Sequence, residues 1–342
     1  MIDLLVAGGG PAGLATAVHA ARSGLETVVV ERRQGPIDKA CGEGLMPHSV
    51  RQLQRLGVQP EGRAFHGIRY LDGHRTAEAR FRDGAGRGVR RTVLHAALSE
   101  AASEAGVRVV RGEVGPVTQD SASVSAAGFR ARYLAAADGL HSPIRRSLGL
   151  SGGEGRRRRW GIRRHVQIAP WSDCVEVYWG PDAEAYVTPV GENCVGVAIL
   201  TSVRGGFDEH LAAFPLLADR IHGLEHGLEH GHDRAAGPLR QKVRDRSAGR
   251  VLLVGDAAGY VDALTGEGMG LAFGAAELLV GCVRADRPGD YDRQWRAMTR
   301  RYRLLTAALL HGSGFGPVRA CITPASAALP SVFARVVNAL GE

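Results

Sequence analysis

The chain has 342 residues, which is enough to bury a large core and to form two domains, or one long domain with an inserted sheet. Hydrophobic residues make up 44% and charged residues 23%, as in an ordinary soluble globular protein, and the net charge of +8 comes from arginine, with Lys39 and Lys242 as the only lysines. Few aromatic residues surround the densest basic run, 156–159, so we expect a solvated loop and no nucleic-acid partner.

The cysteines form no CxxC pair and no even-numbered set for a disulfide framework. We therefore expect reduced thiols in a cytoplasmic protein. No uninterrupted run of 18 apolar residues occurs, so no segment is expected to span a membrane; a predicted strand already begins at residue 2, which argues against a targeting segment. The five cysteines are Cys41, Cys174, Cys194, Cys282 and Cys321.

The first predicted unit is a strand, a glycine-rich turn, a helix over 11–23 and a second strand over 25–30. Gly8 permits the tight turn, Gly10 lets the backbone approach a pyrophosphate, and Gly13 lets the helix pack closely on the sheet. A carboxylate at the end of the second strand can accept hydrogen bonds from a ribose hydroxyl. The candidate cofactor contacts of this unit are Gly8, Gly10, Pro11, Ala12, Gly13, Glu31 and Arg32.

The middle of the chain alternates between helical and strand patterns. The predicted elements, in chain order, are a helix over 45–57, antiparallel strands within 65–81, a helix over 92–105, strands over 107–110 and 133–137, further strands over 166–168, 175–178, 186–190 and 195–200, and a helix over 208–221. We read the strands after residue 160 as the larger part of an inserted sheet that covers the cofactor.

Residues 254–273, VGDAAGYVDALTGEGMGLAF, repeat the first arrangement late in the chain, with a strand, a tight turn and glycines that open a helix. The two segments, in this order and at this separation, favour FAD over a nicotinamide dinucleotide. No second GxGxxG unit follows, so we expect no separate NADPH domain. The reductant is then NADPH or NADH that docks transiently, or reduced flavin from a partner flavin reductase.

Four segments resemble the flavoproteins of the p-hydroxybenzoate hydroxylase fold, and within them the geranylgeranyl reductase-like branch. They are VAGGGPAGLATAVHAARSG from Val6, DKACGEGLMP from Asp38, AADGLHSPIRR from Ala136, and the late glycine segment. The resemblance implies an α/β fold in which a Rossmann-like FAD-binding domain is interleaved with an antiparallel β-sheet substrate domain and followed by a C-terminal helical segment. The implied bounds are 1–64, 84–159 and 241–290 for the FAD-binding domain, 65–83 and 160–240 for the sheet domain, and 291–342 for the C-terminal helices.

The resemblance also implies roles for single residues. Arg91 would contact the FAD diphosphate, and the backbone of Val114 would meet the adenine. Asp138 would support the diphosphate site and shape a groove for reduced nicotinamide, unless it only caps a strand in an aspartate turn. Asp256 would bind sugar hydroxyls, and the helix N-terminus after it would suit the electron-rich edge of reduced flavin. The other implied contacts of that segment are Gly255, Gly266, Gly268 and Met269.

The loop 41–44 holds the candidate catalytic residues, because related reductases carry a Cys-Gly pair beside the flavin. Burial there would raise the pKa of Glu43 and make it a candidate proton donor; the alternative is a glycine-flanked loop in which Cys41 is merely small and buried. Glu267 is either an ionisable group at the flavin or a cap of its helix N-terminus. Ala263 stands where most relatives have proline, so the loop loses rigidity.

Alternate strand side chains of the inserted sheet should face the flavin, and its aromatic residues suit an apolar, planar or greasy ligand unless they only belong to the core. The candidate substrate contacts are Tyr186 and Tyr178, with Trp160, Trp171 and Trp179 less favoured. A histidine repeat, HGLEHGLEHGH from His222, could present metal ligands at i, i+4. Its glycines weaken such a helix, so we predict a solvated loop and no metal site.

The favoured prediction for the reaction is a monooxygenase that hydroxylates or epoxidises a hydrophobic aromatic or isoprenoid small molecule in secondary metabolism. The compact length, and the lack of an amphipathic tail able to rest on lipid, favour it. The alternative is a geranylgeranyl reductase-type enzyme that saturates isolated C=C bonds, which the Cys-Gly loop and the glycine helix favour. A halogenase is less favoured, because neither lysine is placed to relay a hypohalous acid. A flavin-binding redox sensor without turnover also stays open.

Overall fold

The computed structural model describes residues 1–73, 75–153, 158–224 and 232–340. The helices are α1 (Pro11–Arg22), α2 (Pro47–Arg55), α3 (Arg91–Glu104), α4 (Pro143–Ser147), α5 (Phe207–Leu211), α6 (Pro215–Leu224), α7 (Gly268–Arg284), α8 (Tyr291–Gly312), α9 (Gly316–Ala320), α10 (Ile322–Ala328) and α11 (Pro330–Leu340), with 3₁₀ turns at Gly255–Ala258 and Pro288–Asp290. The strands are β1 (Ile2–Ala7), β2 (Thr27–Glu31), β3 (Gly44–Leu45), β4 (Arg63–Phe65), β5 (Gly67–Leu71), β6 (Thr76–Arg80), β7 (Gly86–Gly88), β8 (Arg108–Arg111), β9 (Thr118–Gln119), β10 (Val124–Ala126), β11 (Phe129–Ala136), β12 (Trp160–Val166), β13 (Val175–Trp179), β14 (Ala183–Gly191), β15 (Cys194–Thr201), β16 (Arg234–Ala236), β17 (Ser247–Ala248) and β18 (Val251–Leu253).

A largely parallel sheet forms one layer, in the order β17-β18-β11-β1-β2-β8, with β10 and β9 continuing from β11. β1 pairs in parallel with β2 and β11, and β11 pairs in parallel with β18. Consecutive residues Leu4, Leu5 and Val6 of β1 are all fully buried, so both faces of the strand are covered. A strand covered on both faces needs a continuous apolar run, which explains the pattern at the start of the chain. The predicted Rossmann-like layer is confirmed.

A mainly antiparallel sheet forms a second layer, in the order β16-β12-β15-β14-β13-β5-β6. β5 and β6 come from well before β12 in the chain, and β13 pairs in parallel with β5. One face packs against α5 and α6 through Phe207, Phe214 and Leu217. The other face carries Tyr186, whose hydroxyl donates to the carbonyl of Leu264 in the late glycine segment. The second sheet therefore turns one face toward the parallel layer, as the predicted fold class requires.

Two predicted elements differ most from the structure, while the ends of the others shift by up to about four residues. β12 covers Trp160–Val166 instead of 166–168, because Arg163 and His165 point inward to polar partners and give the strand no apolar alternation. The single helix predicted over 208–221 is the pair α5 and α6, and Pro215 begins the second of them. Proline is favoured at the first position of a helix and disfavoured inside one, which explains the break.

The prediction of a solvated basic loop over 156–159 is wrong for Arg159. The Arg159 side chain is only 9% exposed, lies with Nη1 3.0 Å from Asp262 Oδ1, and pairs also with Glu184. Buried charges persist only when they are paired, so this arginine joins the second sheet to the late glycine segment.

Two predictions fall partly outside the described residues. Arg156 and Arg157 of the basic run lie there, and so do His226 and His230 of the histidine repeat. His222, at the beginning of that repeat, is exposed on α6. The solvated loop predicted for the repeat stays a prediction.

The C-terminal helices overturn the expectation that no amphipathic tail is present. α11 packs Phe333 and Val337 against Ala77 and Ala79 of β6, while its other side exposes Val332. α8 likewise buries some positions and exposes others along its length. After α8, the pattern is hard to see in the sequence, because glycines and prolines divide this part of the chain into the shorter helices α9, α10 and α11, of 5, 7 and 11 residues.

Within the described part of the chain, no single helix is long and apolar enough to cross a membrane. One pair of helices, Gly316–Ala328 and Pro330–Ala339, meets the length and composition criteria together, with a bend of 106° between its two parts.

Candidate flavin-binding site

The turn between β1 and α1 is shaped by its glycines. Gly8 has a φ of +108°, and a Cβ there would lie 2.5 Å from the carbonyl oxygen of Ala137. A Cβ at Gly13 would overlap the carbonyl oxygen of Gly8, whereas one at Gly10 would meet nothing within 4 Å. Two positions are thus closed by backbone, and the third borders open space at the N-terminus of α1. Backbone N–H groups at a helix N-terminus favour an anion such as a diphosphate.

The carboxylate of Glu31 is held at this turn. Its Oε2 accepts a hydrogen bond from the Gly9 N–H at 2.7 Å, and its Oε1 accepts one from the Arg33 N–H at 2.9 Å. Burial acts to raise the pKa of Glu31, but these backbone hydrogen bonds keep it below its usual value.

The two other predicted contacts near this strand lie apart from the turn. The Arg32 side chain is exposed and lies 3.7 Å from Glu113 Oε1, and Val114 packs half-buried against the main core.

The late glycine turn packs on the first one. A Cβ at Gly255 would lie 2.7 Å from Cβ of Ala12, the second residue of α1. Beneath the contact, His95 of α3 holds its Nε2 2.9 Å from the carbonyl oxygen of Gly9. Burial lowers the pKa of His95, so the neutral ring donates to that carbonyl. Sequence reasoning missed His95, because it lies on the apolar face of α3 next to Leu94.

Asp256 lies exposed at the late turn, toward the space between the two glycine turns and the loop 41–44, which we call the cleft. Desolvation by the surrounding protein raises the pKa of Asp256, and the cations Arg91, Lys39 and Arg145 act against that rise. Arg145 is buried and donates from Nη1 to the Ala257 carbonyl at 3.0 Å. A carboxylate among several cations suits a ligand that carries both sugar hydroxyls and phosphates. Lys39 and Arg145 were not predicted contacts, although both lie in segments that carry the family resemblance.

Arg91 links α3 to the start of α7. Its Nη1 lies 3.9 Å from Sδ of Met269, and its Nε is buried without a partner among the described residues. Asp138 accepts from the Ile144 N–H through Oδ2 at 3.1 Å, while its Oδ1 is also buried and has no partner in the described chain. Burial raises the pKa of Asp138. Both side chains therefore have hydrogen-bonding capacity to spare beside the glycine turns.

The loop before α7 is held on both sides of Ala263 by tertiary hydrogen bonds. Tyr186 donates to the carbonyl of Leu264 at 3.0 Å, and Tyr302 of α8 donates to the carbonyl of Asp262 at 3.1 Å. Arg159 pairs with the Asp262 carboxylate from the sheet side. Tertiary hydrogen bonds thus supply the rigidity that the sequence analysis took to be lost with Ala263.

Glu267 makes no capping hydrogen bond at the N-terminus of α7. Its Oε2 lies 2.9 Å from Nε2 of His48 in α2, and both side chains are largely buried. Burial raises the pKa of Glu267, and His48 opposes the rise. The carboxylate thus ties α2 to α7 and does not cap the helix, while its predicted role as an ionisable group at the flavin stays a prediction.

Glu43 points away from the cleft, which corrects its prediction as a catalytic acid. Its Oε1 accepts from the Arg91 N–H at 2.8 Å, and its Oε2 lies 2.6 Å from Nε2 of His165. Arg163 approaches the same carboxylate at 3.8 Å and pairs with Asp38. The residue has a φ of 59°, unusual for a side-chain-bearing residue, and is only 3% exposed. Glu43 therefore anchors the loop 41–44 to α3 and β12.

Replacing Glu43 by alanine is expected to destabilise the fold, because the buried His165 Nε2 and the Arg91 N–H lose their hydrogen-bond acceptor, while Arg163 keeps its pairing with Asp38. Leaving a buried polar group without its hydrogen-bond partner costs roughly 1–3 kcal/mol. The measurement is the urea midpoint of unfolding, with Glu192→Ala, an exposed turn carboxylate, as the matched control. An unchanged midpoint combined with lost turnover would instead return Glu43 to the role of proton donor.

Cys41 remains at the cleft. Its Sγ accepts a hydrogen bond from the Glu43 N–H at 3.4 Å, and its side chain is half-buried. Desolvation raises the pKa of the Cys41 thiol, with Arg91 acting in the opposite direction. A Cβ on the next residue, Gly42, would meet open space. The thiol is therefore protonated at neutral pH and lies beside room for a ligand.

The second sheet brings only one of the two predicted tyrosines to the cleft. Tyr186 lies on the face toward the loop before α7, together with Trp179, whose Nε1 has no partner in the described chain. Tyr178 lies on the opposite face, where its hydroxyl donates to Glu176 Oε2 at 2.7 Å within the α5–α6 core. Its prediction as a substrate contact is wrong, because neighbouring strand residues alternate between faces. Trp171 also donates to Glu176.

The residues present fit FAD. Open space beside Gly10 at a helix N-terminus suits the diphosphate, and the spare donor of Arg91 can reach the same anion. The carboxylates of Glu31 and Asp256 suit the hydroxyls of ribose and ribityl. The open space at Gly42 leaves room for a planar ring between the loop 41–44 and the start of α7.

Comparison with known proteins agrees with this geometry. A family described as FAD binding domain matches residues 1–281. A menaquinone reductase of Mycobacterium tuberculosis is 29% identical over 99% of this chain and 91% of its own length. Digeranylgeranylglycerophospholipid reductase 1 of Methanothermobacter thermautotrophicus is 29% identical over 86% of this chain and 82% of its own. Both support the resemblance to the geranylgeranyl reductase-like branch.

Solved structures show the same fold. A flavoprotein/dehydrogenase from Cytophaga hutchinsonii superposes with a TM-score of 0.81 at 18% identity, over 99% of this chain and 92% of the other. The flavin-dependent brominase Bmp2 superposes with a TM-score of 0.80 at 17% identity, over 99% and 93%. At such identities the likeness concerns the fold alone. The family match and the joined glycine turns together show that the chain belongs to the FAD binding domain family and is an FAD-dependent oxidoreductase.

Proposed function

We propose that this oxidoreductase saturates isolated C=C bonds in a polyprenyl lipid. The observation that carries the proposal is the protonated thiol of Cys41 at the cleft, while the carboxylate of Glu43 is withdrawn into the protein. Two relatives support it, because they are named as reductases of menaquinone and of digeranylgeranylglycerophospholipid, which carry polyprenyl chains. The expected lack of an amphipathic tail no longer favours the monooxygenase, because the C-terminal helices bury some side chains and expose apolar ones; the compact length still favours it.

Bound FAD would supply the electron pair for the reduction. The N-terminus of α1 at Gly10 and the Arg91 side chain would hold its diphosphate, and Asp256 and Glu31 its sugar hydroxyls. Saturating one C=C bond consumes two electrons and two protons; one proton would arrive together with the electron pair, as the hydride that reduced FAD supplies, and the other must come from an acid. Cys41 holds one proton on Sγ, delivers it to a substrate carbon, and regains a proton from solvent.

Other residues keep the thiol in place. Glu43 fixes the loop 41–44 through the Arg91 N–H and His165, so Sγ of Cys41 stays at the cleft. Tyr186, Trp179 and Tyr70, which we call the aromatic wall, lie on the sheet side and exclude water from an apolar chain. We therefore assign the substrate to the space between this wall and the loop.

The experiment is an anaerobic single turnover. Dithionite-reduced enzyme is mixed with menaquinol, whose ring can accept no electrons from the flavin, and the product is reoxidised to the quinone and examined by mass spectrometry. The proposal expects a product that gains two hydrogens in its side chain without oxygen. Menaquinone recovered unchanged, and a product one oxygen heavier when air is admitted, would favour the monooxygenase.

The monooxygenase remains the second candidate function. The aromatic wall of Tyr186, Trp179 and Tyr70 can accept a planar substrate as well as a chain, with the rings of Tyr70 and Trp179 5.4 Å apart. An aromatic ring stacked there would be shielded from water, as oxygenation requires. Mass spectrometry of any small molecule that copurifies with the enzyme would separate the two substrate classes.

NADPH or NADH remains the proposed reductant, with reduced flavin from a partner enzyme as the alternative. A cavity of about 310 Å³ opens beside Asp256, between α7, α8 and the segment 240–246. Arg240, Lys242 and Arg303 line it and form no ion pair among the described residues. These cations suit a phosphate-bearing reductant. Bleaching of the yellow enzyme by NADPH, with colour restored by oxygen, would support direct reduction.

A further inference from the structure

The C-terminal helices expose an unusual amount of apolar surface. Six of the ten large hydrophobic side chains that are exposed in the described chain fall within the short stretch 298–332. They are Met298, Leu304, Phe315, Val318, Leu329 and Val332, with exposed fractions of 39–62%. An apolar surface concentrated in this way marks an interaction site. We propose that this surface, which we call the C-terminal apolar surface, seats the protein on an anionic lipid bilayer.

Charges are nearly absent from this surface. Between Arg303 and Arg335, the only arginine, lysine, aspartate or glutamate is Arg319. The Arg319 side chain is only 10% exposed and turns inward, donating to the Gly180 carbonyl and lying 3.4 Å from Glu184 Oε2. Between residues 304 and 334, the outer side of these helices therefore presents no charge that would have to be desolvated on contact with acyl chains, and the arginines before and after that stretch lie at its margin.

The helices that form the surface are connected. The rings of His311 at the end of α8 and Phe315 lie 5.1 Å apart, and a Cβ at Gly312 would lie 3.4 Å from Val318. α9 contacts α10, and α10 contacts α11. The exposed apolar side chains thus belong to one continuous run of packed helices at one end of the chain.

The shape favours lying on a bilayer over crossing it. The pair Gly316–Ala328 and Pro330–Ala339 has a membrane-like composition but is bent by 106°. At 1.5 Å per residue its parts are about 20 Å and 15 Å long, shorter than a hydrocarbon core of roughly 30 Å. Short helices with one apolar side rest at the lipid interface.

A basic margin borders the apolar surface and identifies the lipid as anionic. Arg300 lies exposed on α8 one turn before Leu304, and Arg335 lies exposed on α11 one turn after Val332. Neither forms an ion pair among the described residues. Basic residues at the edge of an interfacial helix attract anionic headgroups. In a symmetric dimer the same patch would face itself and bring like charges together, so charge complementarity favours a bilayer over a second copy.

The surface also leads toward the aromatic wall of the cleft. Phe333 of α11 packs on Tyr70 with ring centroids 4.7 Å apart, and Tyr70 contacts Trp179. If the proposed polyprenyl substrate is correct, its chain can pass from lipid to the cleft beside these rings. Bilayer binding itself does not depend on the reaction, so the two proposals fail separately.

The test is flotation of FAD-loaded full-length protein with vesicles, without substrate. Phosphatidylcholine vesicles with about 30% phosphatidylglycerol are compared with pure phosphatidylcholine, since basic residues respond to anionic lipid. The triple variant Phe315→Ser, Leu329→Ser, Val332→Ser is expected to float at least about tenfold less, because each side chain loses transfer energy. Arg300→Gln with Arg335→Gln is expected to reduce flotation on anionic vesicles only.

The matched control is Val109→Ser, Val203→Ser, Leu216→Ser, which removes three equally exposed apolar side chains elsewhere. The control should float like the natural protein, and both triple variants should keep their FAD absorbance and thermal midpoint. The proposal is overturned if the natural protein floats with neither type of vesicle, or if the two triple variants float to the same extent. A concentration-dependent dimer that only the C-terminal variant loses, without flotation, would assign the surface to self-association.

Discussion

Gly10→Val is expected to leave the chain folded and to abolish retention of FAD. A side chain at Gly10 meets no protein atom within 4 Å, so the substitution should be tolerated by the fold. It would instead occupy the space at the N-terminus of α1 through which the diphosphate must approach the backbone. Losing two charge-assisted hydrogen bonds of roughly 1.5–3 kcal/mol each weakens binding by about 100-fold or more.

The measurement is the FAD-to-protein absorbance ratio after gel filtration, followed by titration of the apoprotein with FAD. Gly289→Val is the matched control, because Gly289 is also free of neighbours within 4 Å and lies exposed beyond the C-terminal end of α7, the end opposite to the glycine turns. The control should retain FAD at the natural ratio. A yellow Gly10→Val protein with undiminished affinity would show that the diphosphate does not lie at this helix terminus.

Cys41→Ala is expected to lower the rate of C=C reduction about 100-fold or more while leaving FAD bound, since general acid catalysis contributes roughly 10²–10⁴-fold. Desolvation raises the pKa of this thiol, so the proton-donating form persists above the pH at which an ordinary cysteine ionises. Turnover of the natural enzyme should therefore hold through neutral pH and fall only as the pH rises past the elevated pKa.

Two measurements separate this role from a structural one. The rate of Cys41 alkylation by iodoacetamide should rise with pH along the same curve as turnover falls, because the thiolate is the nucleophile. Cys321→Ala, which removes an exposed thiol, is the control and should leave kcat unchanged. A Cys41→Ala enzyme within threefold of the natural rate would exclude the thiol as proton donor.

The glycine turns show how far the chain alone carries the argument. The need for glycine at Gly8 and Gly13 arises from backbone atoms a few residues away or on the adjoining strand, and such local steric demands leave a fixed spacing in the sequence. The strand–turn–helix units and the FAD site were predictable for that reason. The order of the second sheet was not, because it joins β5 to β13 across a large separation in the chain.

Glu43 and Tyr178 show where the sequence was insufficient. Both residues have the right chemistry for a flavin site, and the chain places both in the right segments. Their roles depend on direction: Glu43 turns to His165 of β12, and Tyr178 turns to the α5–α6 core. A shift of one residue along a strand moves a side chain to the opposite face of the sheet. Residue type alone does not predict which face a side chain occupies.

By itself, the sequence determined the cofactor and the fold class, because the steric demands of a dinucleotide on the backbone are local and permit few residue types. The tertiary structure alone decided which ionisable groups face the cleft, how the loop at Ala263 is held, and that the C-terminal helices expose an apolar surface. Those outcomes depend on contacts between residues far apart in the chain. Such contacts are set by the direction in which each side chain points and by how deeply it is buried, and neither property follows from a regular spacing in the sequence.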